Sequence, residues 1–160
     1  MQRVELEYGR TTIGVRLPDS AVVRSLPDVP PLVEPRGAIL AALERPMNSL
    51  PLAALVRQRR KAAGPECSAV IVVSDNTRPV PYRGEQSLLL PLVEILRREQ
   101  ISRIRILVAA GTHRRLSPAE LETFLPVSLL EGSVEILQHD GRDPASLRRI
   151  GRTRRGVECP

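Results

Sequence analysis

Apolar and polar residues alternate twice near the start of the chain. Val4 and Leu6 alternate with Glu5 and Glu7, then Ile13, Val15 and Leu17 alternate with Thr12, Gly14 and Arg16. A period of two is that of a half-buried strand, and Tyr8-Gly9-Arg10 supplies a turn between the runs, so the opening predicts a β-hairpin. Residues 18–35 carry Pro18, Pro27, Pro30, Pro31 and Pro35 and read as a meandering connection. "GAILAALER" (37–45) has the spacing of a short amphipathic helix, ended by Pro46. Ser49 is placed to cap a second helix through Leu52, Leu55 and Val56. The basic run Arg57 to Lys61 lies near that helix's negative C-terminal end.

From residue 68 the pattern becomes regular. A strand over 68–74 leads into a polar loop. The helix "SLLLPLVEILRRE" follows, with Leu88, Leu89, Leu92, Ile95 and Leu96 on one face. Pro91 fits if that helix begins near Ser87, where an early N–H has no intrahelical partner. A second strand covers 104–110. Ser117-Pro118-Ala119-Glu120 has the form of a capping box with Pro at the first helical position. A third strand covers 133–138, and Asp143-Pro144 opens a short helix to Ile150. This alternation predicts an α/β fold, a mostly parallel, helix-covered, Rossmann-like sheet preceded by an N-terminal β-hairpin. The expected organisation is one domain over 1–160: hairpin, Pro-rich connection and two short helices over 1–66, then a βαβαβ core over 67–160. Val157 starts what reads as a further strand, cut short, and the expectation is that the chain is a fragment of a longer one.

Composition narrows the function classes. Hydrophobic residues make up 42% of 160 residues, enough for a real core and too many for disorder. Aromatics make up 2%, so a binder that stacks single-stranded bases on aromatic platforms is disfavoured. The net charge of +6 suits anionic ligands, but the Arg cluster over 148–155 has no interleaved aromatics and reads as a solvated or interface surface. No nucleic-acid partner is expected. Cys67 and Cys159 lack metal-ligand spacing and read as free thiols of a reducing compartment, Cys67 as a small core residue. The opening residues contain no apolar leader and no stretch reaches the roughly 18–20 apolar residues of a membrane span. A cytoplasmic protein without a membrane partner is expected.

The candidate chemistry lies where the strands end. In open parallel sheets, ligands bind beyond the carboxyl ends of the strands. Three such ends carry polar clusters: Asp75-Asn76-Thr77-Arg78, Gly111-Thr112-His113-Arg114 and His139-Asp140. Arg78 offers a planar fork of donors for a carboxylate or phosphate. Asp75 is placed to orient Arg78 or to accept from a sugar hydroxyl, and Pro79 and Pro81 stiffen the loop. Gly111 admits close backbone approach, Thr112 offers a hydroxyl, and His113 is the natural acid or base near neutrality. The plainer readings are an Asp75–Arg78 ion pair that pins a loop, and a His113 that caps the helix near Ser117. Asp140 or Asp143 reads as a helix cap, and His139 as structural.

"SDNTRPVP" (74–81), a Leu-rich helix with an early Pro, and "LVAAGTHRRLSPAEL" together resemble the N-terminal domain of the nickel-dependent lactate racemase family. "LEYG", "RPMNSLPLAAL", "HDGRDPASL" and "GRTRRGV" follow that family's order over essentially the whole chain. The resemblance implies a racemase or epimerase of a small 2-hydroxyacid that uses a nickel pincer nucleotide. One His would take the hydroxyl proton while hydride passes reversibly to the cofactor. By the same resemblance His113 is the first catalytic His, and Asp75, Thr77, Arg78, Gly111, Thr112 and Arg114 line the substrate and cofactor pocket, with Arg78 on the substrate carboxylate. The second catalytic His, the cofactor-bonding Lys and the nickel ligand would come from a C-terminal domain. Lys61, the sole Lys, sits in a helix-terminal basic run and does not stand in. Ala109-Ala110 before Gly111, and Arg115 where Pro is common, depart from the family pattern. The chain alone is expected to be inactive. The alternative expectation is a non-catalytic nucleotide- or anion-binding α/β module.

Overall fold

A computed structural model describes residues 1–84, 86–132 and 134–159. The chain forms two compact units, Met1–Pro31 and a second that begins at Leu32. The first is the expected hairpin. Strands β1 (Gln2–Tyr8) and β2 (Thr11–Leu17) pair antiparallel from Gln2↔Leu17 to Tyr8↔Thr11. That register leaves a two-residue loop, and Gly9 takes φ +62° there, the left-handed value a tight primed turn requires. Val4↔Val15 and Leu6↔Ile13 stack apolar side chains on one face. Gln2 then bonds the carbonyls of Pro18 and Ala21, which ties the start of the connection to β1.

The second unit is built on a three-stranded sheet, β3 (Ser68–Val73), β4 (Arg103–Val108) and β5 (Glu135–Gln138), all parallel and in that order. Its helices are α1 (Pro35–Glu44), α2 (Leu52–Ala63), α3 (Leu89–Arg98), α4 (Pro118–Phe124) and α5 (Val127–Leu130). Strand side chains alternate between faces. Val73, Ile104, Ile106 and Val108 point into a core shared with Val56, Leu89, Val93, Leu96, Leu125 and Leu129. The opposite face keeps Val70 and Val72 about half exposed or more, at 52% and 63%. The expected parallel, helix-covered α/β sheet with a leading hairpin is therefore present, with its core on one face.

Local chemistry explains most element ends. Ser117 accepts from the Glu120 N–H while the Glu120 carboxylate accepts from the Ser117 N–H, the expected capping box. Pro91 lies within the first three residues of α3, where its missing N–H removes no helical bond. Buried Ser87 accepts from the Leu90 N–H and donates to the Tyr82 carbonyl, so it serves as that helix's polar anchor. Three expectations are corrected. Ser49 caps nothing: α2 begins after extended Pro51, too far along, and Ser49 Oγ donates to the Leu50 carbonyl. The strand over 104–110 ends at Val108: the Ala109 N–H still bonds the Val73 carbonyl, but the Ala110 N–H turns back onto the Val108 carbonyl. The short helix to Ile150 is only a 3₁₀ turn over Pro144–Ser146, capped by Asp143. The chain then extends into a second hairpin, β6 (Gly151–Arg152) against β7 (Glu158–Cys159), so the strand expected near Val157 does form.

Ile106, fully buried at the centre of β4, should dominate stability. Ile106→Ala is expected to cost roughly 2–5 kcal/mol in denaturant unfolding, and Val72→Thr on the open face about 0.5 kcal/mol or less. Equal effects of the two substitutions would contradict this assignment of the sheet faces.

Candidate functional site

Registry brings the polar clusters together. Val73 lies opposite Val108, and Val108 opposite Gln138, so the three strands end level. Beyond the ends the backbones stay joined: the Ala109 N–H bonds the Val73 carbonyl at 2.8 Å and the His139 N–H bonds the Val108 carbonyl at 2.9 Å. The loop after β3 folds back tightly, with the Arg78 N–H on the Asp75 carbonyl. Tyr82 straps it down, since its hydroxyl accepts from the Ser74 N–H at 3.1 Å and lies 3.0 Å from Ser74 Oγ. Its ring is held edge-on against Phe124.

At the centre is Asp75, only 5% exposed, facing His113, whose side chain is 57% exposed. Oδ2 of Asp75 meets Nδ1 of His113 at 2.5 Å, and Oδ1 accepts from the Thr77 hydroxyl at 2.5 Å and the Thr77 N–H at 3.2 Å. Both carboxylate oxygens are thus engaged. The bonds from His113 and then Thr77 hold the Asp75 carboxyl below the usual aspartate range, against the opposing effect of burial. A carboxylate can only accept, so His113 donates through Nδ1–H, and in the neutral ring Nε2 carries the free lone pair. Asp75, Asn76, Thr77, His113, Arg114 and Leu116 line a cavity of about 320 Å³.

The remaining candidates separate by what they touch. The expected Asp75–Arg78 pair does not form, because the Asp75 oxygens are taken by Thr77, two residues away, and by His113 on the neighbouring strand end. The Arg78 guanidinium is exposed and has no side-chain partner among the described residues. Arg114 lines the cavity, but its fork holds Glu120 in two bonds of 2.8 and 2.5 Å. Those bonds, with the Ser117 backbone, lower the Glu120 carboxyl to about 2. Thr112 is exposed, and Gly111 takes φ +59°, a value side-chain-bearing residues rarely adopt. His113 does not cap α4, a task Ser117 performs. Asp140 accepts from the Arg142 N–H in a local turn, and His139 joins the rim through its backbone.

Tyr82, Gln138 and Gly141 support this rim and were not among the sequence candidates. For Gln138 a signal existed: a polar residue on the inward register of β5, two places after Ile136. Among the described residues, no group of three or more His, Cys, Asp or Glu side chains is gathered to hold a metal ion. Still uncommitted among the described residues are two donors, Arg78 and Thr112, and one acceptor, Nε2 of His113. They suit the carboxylate, hydroxyl or phosphate groups of an organic anion.

The lowered Asp75 carboxyl has a stability consequence of definite sign. A carboxyl held lower in the folded than the unfolded state stabilises above the ordinary aspartate range, about 3.9, and loses that contribution as pH falls through it toward the folded value. The stability gap between the natural chain and Asp75→Asn should therefore be wider at about pH 5.5 than at about pH 3. Urea unfolding at both values measures it, and a gap that widens in acid would refute the bonded arrangement.

Comparison with known proteins bears on what such a rim serves. Residues 8–160 match the family described as the lactate racemase N-terminal domain. The lactate racemase of Thermoanaerobacterium thermosaccharolyticum is 28% identical over 155 residues, 94% of this chain and 34% of that protein. The lactate racemase of Lactiplantibacillus plantarum is 28% identical over 163 residues, 99% of this chain and 36% of that protein. The solved structure of the T. thermosaccharolyticum lactate racemase apoprotein superposes with a TM-score of 0.67 at 28% identity, over 98% of this chain and 34% of that one. The chain spans about a third of the length of these relatives. With β3, β4 and β5 parallel, His113 and Asp75 joined at their ends, and the family match covering nearly every residue, this chain belongs to the lactate racemase N-terminal domain family.

Proposed function

We propose that the chain is the N-terminal part of a 2-hydroxyacid racemase or epimerase that works with a nickel pincer nucleotide, and that His113 is one of its acid–base groups. The observation that carries the proposal is the buried Asp75 carboxylate on Nδ1 of a solvent-facing His113, beside a cavity, in a chain matched to lactate racemases. The remaining two thirds of such a protein would supply the second acid–base His, the cofactor-bonding Lys and the nickel ligand. When bound, the cofactor supplies reversible acceptance of hydride from the substrate α-carbon.

The residues of this chain do the rest. Nε2 of His113 takes the proton from the substrate hydroxyl as the α-carbon flattens toward a keto acid, and can return it on reversal. Asp75 keeps Nδ1 protonated, so that Nε2 is the accepting nitrogen, and it stabilises the imidazolium formed on proton uptake. Arg78, exposed and uncommitted among the described residues, holds the substrate carboxylate through its two-pronged fork. Thr112 and the backbone at Gly111 and Asn76 offer donors to the carboxylate or the cofactor's phosphate. Arg114 lines the same cavity but serves chiefly to fix α4 through Glu120.

In the full-length enzyme, His113→Ala is expected to lower kcat for racemisation of its 2-hydroxyacid by roughly 10²–10⁴-fold. Arg78→Ala should instead act mainly on KM, raising it roughly 10- to 100-fold through the lost charge-assisted bonds. Chiral chromatography of product against time measures both. Undiminished racemisation by His113→Ala would overturn the acid–base role and leave only an anion-binding reading of the rim.

A further inference from the structure

The loop that carries His113 is gripped from its other side by the end of β5. Gln138, the last residue of that strand, makes two bonds to a single loop residue. Its Oε1 accepts from the Leu116 N–H at 2.7 Å, and its Nε2 donates to the Leu116 carbonyl at 2.9 Å. A neighbouring strand would pair with the backbone in the same way, but here a side chain supplies the pairing. Leu116 itself is buried, so its backbone groups need such partners. On the other side of His113, the Gly111 carbonyl accepts from the Gly141 N–H at 2.9 Å. A Cβ on Gly141 would stand 2.7 Å from that oxygen and 3.1 Å from its carbon, a distance real side chains do not tolerate. Gly141 is thus glycine because two backbones approach there.

Between these anchors the span is tied by the His113 N–H on the Ala110 carbonyl at 3.0 Å and by Arg114 on Glu120, and neither bond orients the imidazole. Residues 111–115 are all exposed, and among the described residues the imidazole's side-chain bond goes to Asp75. Free ends on such a loop would let the ring wander, and a misplacement of about 1 Å at an acid–base group is enough to cost a large factor in rate. We infer that Gln138 and Gly141 are positioning residues for His113: they fix the backbone of 111–116 so that Nδ1 stays on Asp75 and Nε2 faces the cavity before any ligand arrives. This deepens the acid–base assignment of His113 and rests on it.

The test reads the imidazole itself. In the ¹⁵N-labelled chain, above the ordinary imidazole range of about 6.5, the His113 ring should show mainly the Nδ1-protonated tautomer. Gln138→Leu, similar in size but without either bond, should shift the ring toward the Nε2-protonated form. It should also speed exchange of the Leu116 amide by about tenfold, with the Ile106 amide in β4 unchanged. Gln138→Glu keeps the acceptor for the Leu116 N–H and should shift both readouts less, in the same direction; it decides the matter if Gln138→Leu does not fold. Gly141→Ala should move the tautomer balance the same way by pushing on Gly111. A ring spectrum unmoved while the Leu116 amide exchanges faster would reduce Gln138 to loop support and overturn the inference. So would a Leu116 amide whose exchange does not change. Failure of the acid–base role, by contrast, would appear as full activity of His113→Ala, with the tautomer result untouched.

Discussion

In a parallel sheet, the register between neighbouring strands decides which loops meet at the rim, and here that constraint comes before every other. Val73 stands opposite Val108, so the residues that follow each leave the sheet at one height and about 4.8 Å apart. Asp75 lies two residues beyond that line and His113 five, which is far enough for the second loop to turn back through Gly111. A shift of one residue in β3 would turn Val73 outward and carry Asp75 to the other face. The core enforces the register, because Ile71 and Val73 face inward beside Ile106 and Val108. Hydrophobic burial thereby sets the position of a carboxylate.

The pair at the rim is asymmetric in burial, and the asymmetry suits its chemistry. A carboxylate as buried as Asp75 is costly unless its lone pairs are filled, and here Thr77 and His113 fill them. Burial alone would raise its pKa, but the hydrogen bonds more than offset this and the group stays charged. His113 meanwhile keeps its outer edge in solvent. Had the exposures been reversed, with a buried imidazole and an open carboxylate, the arrangement would have been an ordinary structural ion pair. Arg114–Glu120 is such a pair, both members at the surface, and its role is to complete the start of α4.

Period-two and helical patterns were strong enough in this sequence to reveal the hairpin, the three parallel strands and the major helices. The capping box at Ser117 was equally plain, because its parts lie within four residues. Local signals failed where a tertiary partner decides the outcome. Ser49 looked like a cap, yet Pro51 sets the start of α2. Residues 147–150 had helical spacing, yet the Ile150 N–H joins the Cys159 carbonyl across a hairpin. At the site, the rule that ligands sit beyond strand ends pointed to loops that the structure brings side by side. It could not say that Asp75 chooses His113 over Arg78. That choice depends on the distance between strand ends against the reach of a loop, and neither is written in a single stretch of residues. Gln138 and Gly141 were missed for the same reason: their partners are Leu116 and Gly111, more than twenty residues away.

Orientation and enclosure are separable tasks, and the residues of this chain perform the first. The strapping of the β3 loop by Tyr82, the Gln138 clasp on Leu116 and the Asp75 bond to His113 together hold the imidazole in place without a ligand. An electrostatic site gains its strength when water is excluded, since the same charges interact far more strongly in a low dielectric. Here His113, Thr112 and Arg78 all stand open to solvent. On the proposed acid–base reading, a preorganised but uncovered rim should hold an anion weakly and transfer protons slowly, because transfer at Nε2 needs the hydroxyl pressed against it and water kept away. On that argument, whatever closes the cavity contributes rate chiefly through exclusion, and the geometry it closes over is already in place.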